Sequence, residues 1–160
     1  MAELSSGINP LFLRDEELRQ GMELFLRAFR DFDAEADQLL ASRGLGRAHH
    51  RAIYFIGRHP GMSVGDLIGL LGITKQSLGR VLGALVDQGL VDQRPAPDDR
   101  RRRLLSLTDE GNILEQALTA RQRAIMARAY RQAGAEAVLG FRKVLTGLCA
   151  DDVVTLDEDK

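Results

Sequence analysis

Cysteine occurs once in these 160 residues, at position 149, and tryptophan not at all. One thiol makes no internal disulfide, and no second cysteine stands at zinc-ligand spacing, which excludes a disulfide scaffold and a structural zinc. No apolar run approaches the roughly eighteen residues of a membrane span. Met1 to Pro10 also lacks the basic flank and apolar core of a signal peptide, so the expected location is cytoplasmic with no membrane partner. Enzyme signatures are missing as well: no nucleophile stands with a base, no carboxylates pair persuasively, and Ser5-Ser6-Gly7 lacks the strand and helix context of a phosphate loop. No catalytic residue, metal or cofactor is expected.

Charge of one sign is scarce overall, since the chain carries 22 Lys and Arg against 23 Asp and Glu, a net −1. Its distribution is uneven. Residues 1–46 carry a net −4, residues 47–103 a net +5 and residues 104–160 a net −2. A basic centre in an acidic frame fits one phosphate-facing surface on a soluble body. With 44% hydrophobic residues the length suffices for one core, so a single domain over 1–160 is expected.

Apolar residues at threes and fours (Leu18, Met22, Phe25, Phe29, Phe32, Ala36, Leu39) predict a long amphipathic helix from Arg14 to Ser42, stopped by Arg43-Gly44-Leu45-Gly46. A second helix is predicted over Arg47 to Arg58, carrying Ile53, Tyr54 and Ile56 and closed by His59-Pro60-Gly61. Ser63 precedes Asp66 by three, a capping box, and Leu67, Ile68, Leu70 and Leu71 face the core until Gly72. Thr74 then caps a fourth helix to about Gln88, with Leu78, Val81, Leu82 and Leu85 as its buried stripe and Gly89 as its stop. Two helices joined this tightly cross steeply, as in a helix-turn-helix.

Past Gly89 the pattern changes. Leu90 to Arg94 reads as a strand, Pro95 to Asp99 as a turn and Arg103 to Leu107 as the returning strand, a β-hairpin with a basic tip. Thr108 caps a helix to about Gln132, and a last helix runs from Ala135 to Cys149. The expected fold is mainly α with a small β-hairpin wing. It is a winged helix-turn-helix in which 46–108 forms the DNA-binding lobe, while long N- and C-terminal helices, 1–45 and 109–160, form a dimerisation region.

Opposite its leucine stripe the fourth helix presents Lys75, Gln76, Gly79, Arg80, Gly83 and Asp87. Glutamine can bond an adenine edge twice, Lys and Arg bond guanine or phosphate, and Thr74 and Ser77 can hold backbone phosphates near the helix start. A solvated helix face would look similar. The hairpin tip, Asp98-Asp99-Arg100-Arg101-Arg102-Arg103, weighs against that reading, because four adjacent guanidinium groups repel unless a counter-charge meets them. Arginines on a projecting tip suit the narrow, negative minor groove, and an adjacent Asp can orient one of them. The alternative is a salt-bridged loop. Gly79 and Gly83 each cost about 1 kcal/mol in a helix interior, which either a close approach of DNA or tight packing would explain.

In combination, Gly72-Ile73-Thr74-Lys75-Gln76-Ser77, Gly89-Leu90-Val91, Asp99-Arg100-Arg101 and Leu107-Thr108-Asp109-Glu110-Gly111 resemble the MarR (multiple antibiotic resistance regulator) family. The flanking helices follow that family's order, so the resemblance covers nearly the whole chain. It implies a homodimer with interlocked terminal helices and recognition helices in successive major grooves of double-stranded DNA, usually acting as a repressor. Lys75, Gln76, Ser77 and Arg80 are then the expected major-groove and phosphate residues, and Arg101 the minor-groove arginine. Similar proteins commonly hold serine where this chain has Gly79. Leu11, Phe12 and Leu13, with Phe141, Val144 and Leu148, are candidates for the dimer surface, with ordinary core as the other reading.

The resemblance also implies a small anionic or phenolic effector between the two regions, with Phe29, His49, His50, Arg51 and Tyr54 as candidates by position. Adjacent histidines on a helix diverge and make poor joint metal ligands. Cys149 reads as a small buried hydrophobe rather than a reactive thiol. The rival to DNA binding is a winged-helix module that binds protein alone, which acid over both the wing and the fourth helix would favour.

Overall fold

The computed structural model describes residues 10–149. Ser5-Ser6-Gly7, the rest of the leader to residue 9 and the tail from residue 150 lie outside the described residues, as do the outer ends of the 1–45 and 109–160 segments. The chain separates into two compact units, divided between Ala34 and Glu35.

In the first unit a 3-10 turn at Leu11–Leu13 leads into α1, Asp15–Ala41, whose first turn places Asp15, Glu16 and Glu17 at the positive end of the helix. The predicted period is present. The first part of its stripe is not buried, however: Leu18, Met22, Phe25 and Phe29 are all exposed, and Phe25 stacks on Phe29 with ring centroids 6.5 Å apart.

The second unit holds the core. Ala36 and Leu40 from the end of α1 pack in one buried cluster with residues of the elements that follow. Helix α2, Arg47–Arg58, adds Ala52, Ile53 and Ile56. Its first turn is closed by the Gly46 N–H, which donates to His49 Nδ1 at 3.0 Å. In α3, Val64–Leu71, the predicted capping box is complete: Ser63 Oγ accepts from the Asp66 N–H at 3.1 Å, and Asp66 Oδ2 accepts from the Ser63 N–H at 3.0 Å. Gly72 ends the helix at φ 62°, a left-handed conformation that costs a glycine little. Helix α4, Lys75–Asp87, follows at once and buries Leu78, Val81, Leu82 and Leu85, the four residues its period marks.

The predicted hairpin forms, but as part of a three-stranded antiparallel sheet. β1, Met62–Ser63, pairs with β3, Arg103–Leu107, on the side away from β2, Val91–Pro95. Two residues that also start a helix show no period-2 signal, so β1 was not legible in the sequence. Strand β2 continues through Pro95 rather than stopping before it, which proline permits on an edge strand.

Helix α5, Asp109–Ala133, starts on Thr108, whose hydroxyl accepts from the Gly111 N–H at 3.0 Å and donates to the Gly89 carbonyl at 2.6 Å. A Cβ on Gly111 would overlap the Leu90 carbonyl oxygen. Thr108 and Gly111 therefore clamp the start of α5 against the start of the wing. Helix α6, Ala135–Leu148, buries no residue. The ordinary-core reading of its apolar residues fails, since Phe141, Val144 and Leu148 are exposed. Cys149 is exposed too, against the expected buried hydrophobe, because it follows a helix that buries none of its residues.

Candidate nucleic-acid interface

Helix α4 is oriented by its buried stripe and held at both ends. At its start Thr74 Oγ1 accepts from the Ser77 N–H at 3.1 Å and donates to Ser77 Oγ at 3.0 Å. At its end Gln88 Nε2 donates to the Arg43 carbonyl at 3.1 Å, while Arg43 Nη2 pairs with Glu110 Oε1 at 3.1 Å. The connection after α1, the end of α4 and the start of α5 are thereby tied together. With the stripe turned inward, Lys75, Gln76, Gly79, Arg80, Gly83 and Asp87 are all exposed. Neither the Lys75 ammonium nor the Arg80 guanidinium makes an ion pair among the described residues. The Thr74 hydroxyl is spent on the cap, which leaves the Ser77 hydroxyl as the freer donor of the two.

The glycines of this face can now be separated from those that packing requires. Around a Cβ built on Gly79 or Gly83 there is nothing within 4 Å, so intramolecular packing does not account for either. Gly111 is the opposite case.

The wing tip is a tight, internally bonded turn. Asp99 Oδ1 accepts from the Arg101 backbone N–H at 2.9 Å, and the Arg102 N–H donates to the Asp99 carbonyl at 3.0 Å. Below it the Ala96 N–H donates to the Arg102 carbonyl at 2.8 Å, closing the neck. Asp99 therefore shapes the turn through the main chain, and the carboxylate that orients a guanidinium is Asp98: Arg102 Nη2 lies 3.0 Å from its Oδ1 and 3.2 Å from its Oδ2. Arg100, Arg101 and Arg103 are exposed and have no ion pair among the described residues. The salt-bridged-loop reading thus holds for one arginine of four.

The effector candidates are scattered in character. Phe29 belongs to the first unit and stacks on Phe25. His50 is buried in α2, Arg51 and Tyr54 are exposed, and Tyr54 meets Phe55 edge-on at 5.6 Å. His49 already uses Nδ1 in closing the first turn of α2, and burial pushes its imidazole below the ordinary value of 6.5. Two shallow concavities of about 260 Å³ involve none of these residues: one on the wing is lined by Arg94, Pro95 and Leu104 among others, and one by Glu35, Arg121 and Arg128 among others. No group of three or more potential ligands is placed to hold a metal among the described residues. Nor is any helix there long and apolar enough to cross a membrane.

The helix pair α3 and α4 and the first strand of the basic wing that follows them fall within a segment that also matches a known family. A model described as MarR family matches residues 43–102, from the loop after α1 to the wing tip. The HTH-type transcriptional regulator PetP of Rhodobacter capsulatus is 52% identical over 142 residues, which is 89% of this chain and 86% of that one. The chain belongs to the MarR family. As a MarR-family protein it is a DNA-binding transcriptional regulator with a winged-helix fold. Two solved structures share that fold at low identity. FabT of Streptococcus pneumoniae, in complex with DNA, has a TM-score of 0.68 and 19% identity, covering 82% of this chain and 94% of that one. NadR in complex with 4-hydroxyphenylacetate has a TM-score of 0.69 and 22% identity, covering 82% and 91%.

Two elements of this MarR-family interface escaped the sequence reading. Gly111 carried only its place in a motif, because the overlap it avoids arises between residues distant in sequence. The Asp98–Arg102 pair was invisible because spacing on a hairpin, unlike spacing on a helix, does not say which side chains meet.

Proposed function

We propose that the protein binds a pseudo-palindromic DNA operator as a homodimer and represses transcription, with α4 in the major groove and the wing in the minor groove. The observation that carries this reading is the state of the basic groups. Lys75, Arg80, Arg100 and Arg101 lie exposed on α4 and the wing and make no ion pair among the described residues, where Asp98 neutralises only Arg102. That favours duplex DNA over a protein-only module. Residues 46–108 then form the DNA-binding lobe. Gln76 reads a base with Lys75, Ser77 and Arg80 beside it, Thr74 stabilises the helix start, and Arg101 enters the minor groove with Arg100 and Arg103 near the phosphates.

The exposed apolar residues of Leu11–Leu13, α1 and α6 support dimerisation through 1–45 and 109–160. Release by a small effector follows from the analogy with NadR, which was solved with 4-hydroxyphenylacetate. Here Tyr54 supplies an exposed ring on α2, with His49, His50 and Arg51 as further candidates on the same helix. A cytoplasmic location is part of the same reading.

The test is selection of bound sequences from random duplexes, followed by binding of Arg101→Ala across salt concentrations. A two-fold motif with half-sites about one helical turn apart is expected. Arg101→Ala should weaken binding to every sequence and flatten its salt dependence, whereas Gln76→Ala should cost about 1–3 kcal/mol mainly on the selected site. Equal affinity of wild type and Arg101→Ala at all salt concentrations would remove Arg101 from the interface.

A further inference from the structure

Four consecutive arginines at the wing tip are not equivalent, and the difference lies in what holds each one. The main chain of Arg102 is pinned on both sides: its N–H donates to the Asp99 carbonyl at 3.0 Å, and its carbonyl accepts from the Ala96 N–H at 2.8 Å. With the backbone fixed, its side chain folds back so that Nη2 meets both carboxylate oxygens of Asp98, at 3.0 and 3.2 Å. Arg100 and Arg101, on the same turn, have no such partner among the described residues. Asp99 faces the main chain of Arg101 instead and leaves that guanidinium unneutralised.

We propose that Asp98 is a specificity-determining residue that acts through Arg102, withholding that one guanidinium from the DNA phosphates while Arg101 enters the minor groove. The inference rests on the DNA-binding reading above. A phosphate contact adds affinity for every sequence alike, whereas base edges and groove shape distinguish one sequence from another. An arginine already paired with a carboxylate displaces no counter-ion when DNA arrives. Latching Arg102 therefore subtracts a sequence-blind contact and leaves the sequence-dependent ones in place. The pair is solvent-exposed and correspondingly weak, so it biases the wing without locking it. Asp98 is a positioning residue here and touches no DNA.

The experiment is a double-mutant cycle on the full chain, reading the slope of log affinity against log salt for a selected and an unrelated duplex, with thermal unfolding as a check on folding. Asp98→Asn keeps a turn-forming side chain and removes the charge. It should steepen the slope by about 0.9 per wing, tighten binding to the unrelated duplex several-fold and narrow the ratio between the two duplexes. Arg102→Ala alone should leave the slope at the wild-type value, and the double variant should return to it. An unchanged slope for Asp98→Asn, or a flattening by Arg102→Ala equal to that of Arg101→Ala, would overturn the latch. The second outcome would still uphold DNA binding by the wing. Absence of any salt-dependent binding by the wild type would instead overturn the DNA-binding reading and this inference with it.

Discussion

Helices α4 and α6 are nearly the same length, 13 and 14 residues, and both carry an apolar stripe at helical spacing. Their fates differ. α4 buries Leu78, Val81, Leu82 and Leu85 in the core, against α2 and β2, whereas α6 buries nothing and touches mainly α5, with Phe141 edge-on to Tyr130 at 6.3 Å. A periodic stripe thus states that a helix has a face to cover and not what covers it. In α4 the cover lies within the chain, and the polar side is left exposed. For α6, in the proposed homodimer, the cover comes from a second copy.

The sharpest way to break the α4 side of this comparison is at its sealing point. Gly111→Ala should destabilise the second unit by about 4 kcal/mol, because the new methyl overlaps the Leu90 carbonyl oxygen, a main-chain atom that no side-chain rotation can move aside. Chemical denaturation measures it, and a loss under about 1 kcal/mol would show that the clamp between α5 and the wing is slack. Next in size, Leu85→Ala should cost about 3 kcal/mol as a cavity in the core. The matched change on α6, Val144→Asp, should leave the unfolding of the isolated subunit within about 0.5 kcal/mol while shifting sedimentation from dimer to monomer. A large intrinsic destabilisation by Val144→Asp with unchanged association would erase the distinction between the two helices.

Gly79→Ala sharpens the polar side of α4. With open space at its Cβ, alanine should stabilise the fold by up to about 1 kcal/mol. If the glycine serves a close approach of DNA, affinity should fall as stability rises, and a variant that gains both would leave Gly79 without a role at the groove.

The smallest effect concerns α2. Burial holds the His49 imidazole below 6.5, so the unfolded chain takes up a proton there that the folded helix resists. Its contribution to stability is fully present above pH 6.5 and is lost as pH falls through that value toward the lower folded one. Replacing His49 by Asn should flatten the dependence of melting temperature on pH over about 7 to 5.5. An unaltered profile would assign the acid sensitivity to other groups.

Much of the second unit was legible because local chemistry and tertiary demand agreed. Ser63 with Asp66, Gly72, Thr74 and Thr108 cap helices by contacts no more than four residues long, and such contacts can be read from spacing alone. The basic tip was legible for the same reason, as a run of like charge on a turn. What escaped involved partners far apart in sequence or on irregular backbone. The short strand β1 exists only because β3 offers it a ladder, Gly111 is needed only because Leu90 lies across from it, and the choice of Arg102 over Arg101 as the paired arginine depends on how the turn aims each side chain.

By itself, then, the sequence determined where the helices start and stop, which face of α4 turns inward, and that a cluster of arginines sits on a hairpin. These follow from hydrogen-bonding caps, glycine conformations and period, all local properties. The tertiary structure decided which stripes find cover and which stay open, and which arginines are left uncompensated. Those outcomes depend on what stands opposite each residue once the chain has folded, and no spacing within the chain encodes that directly.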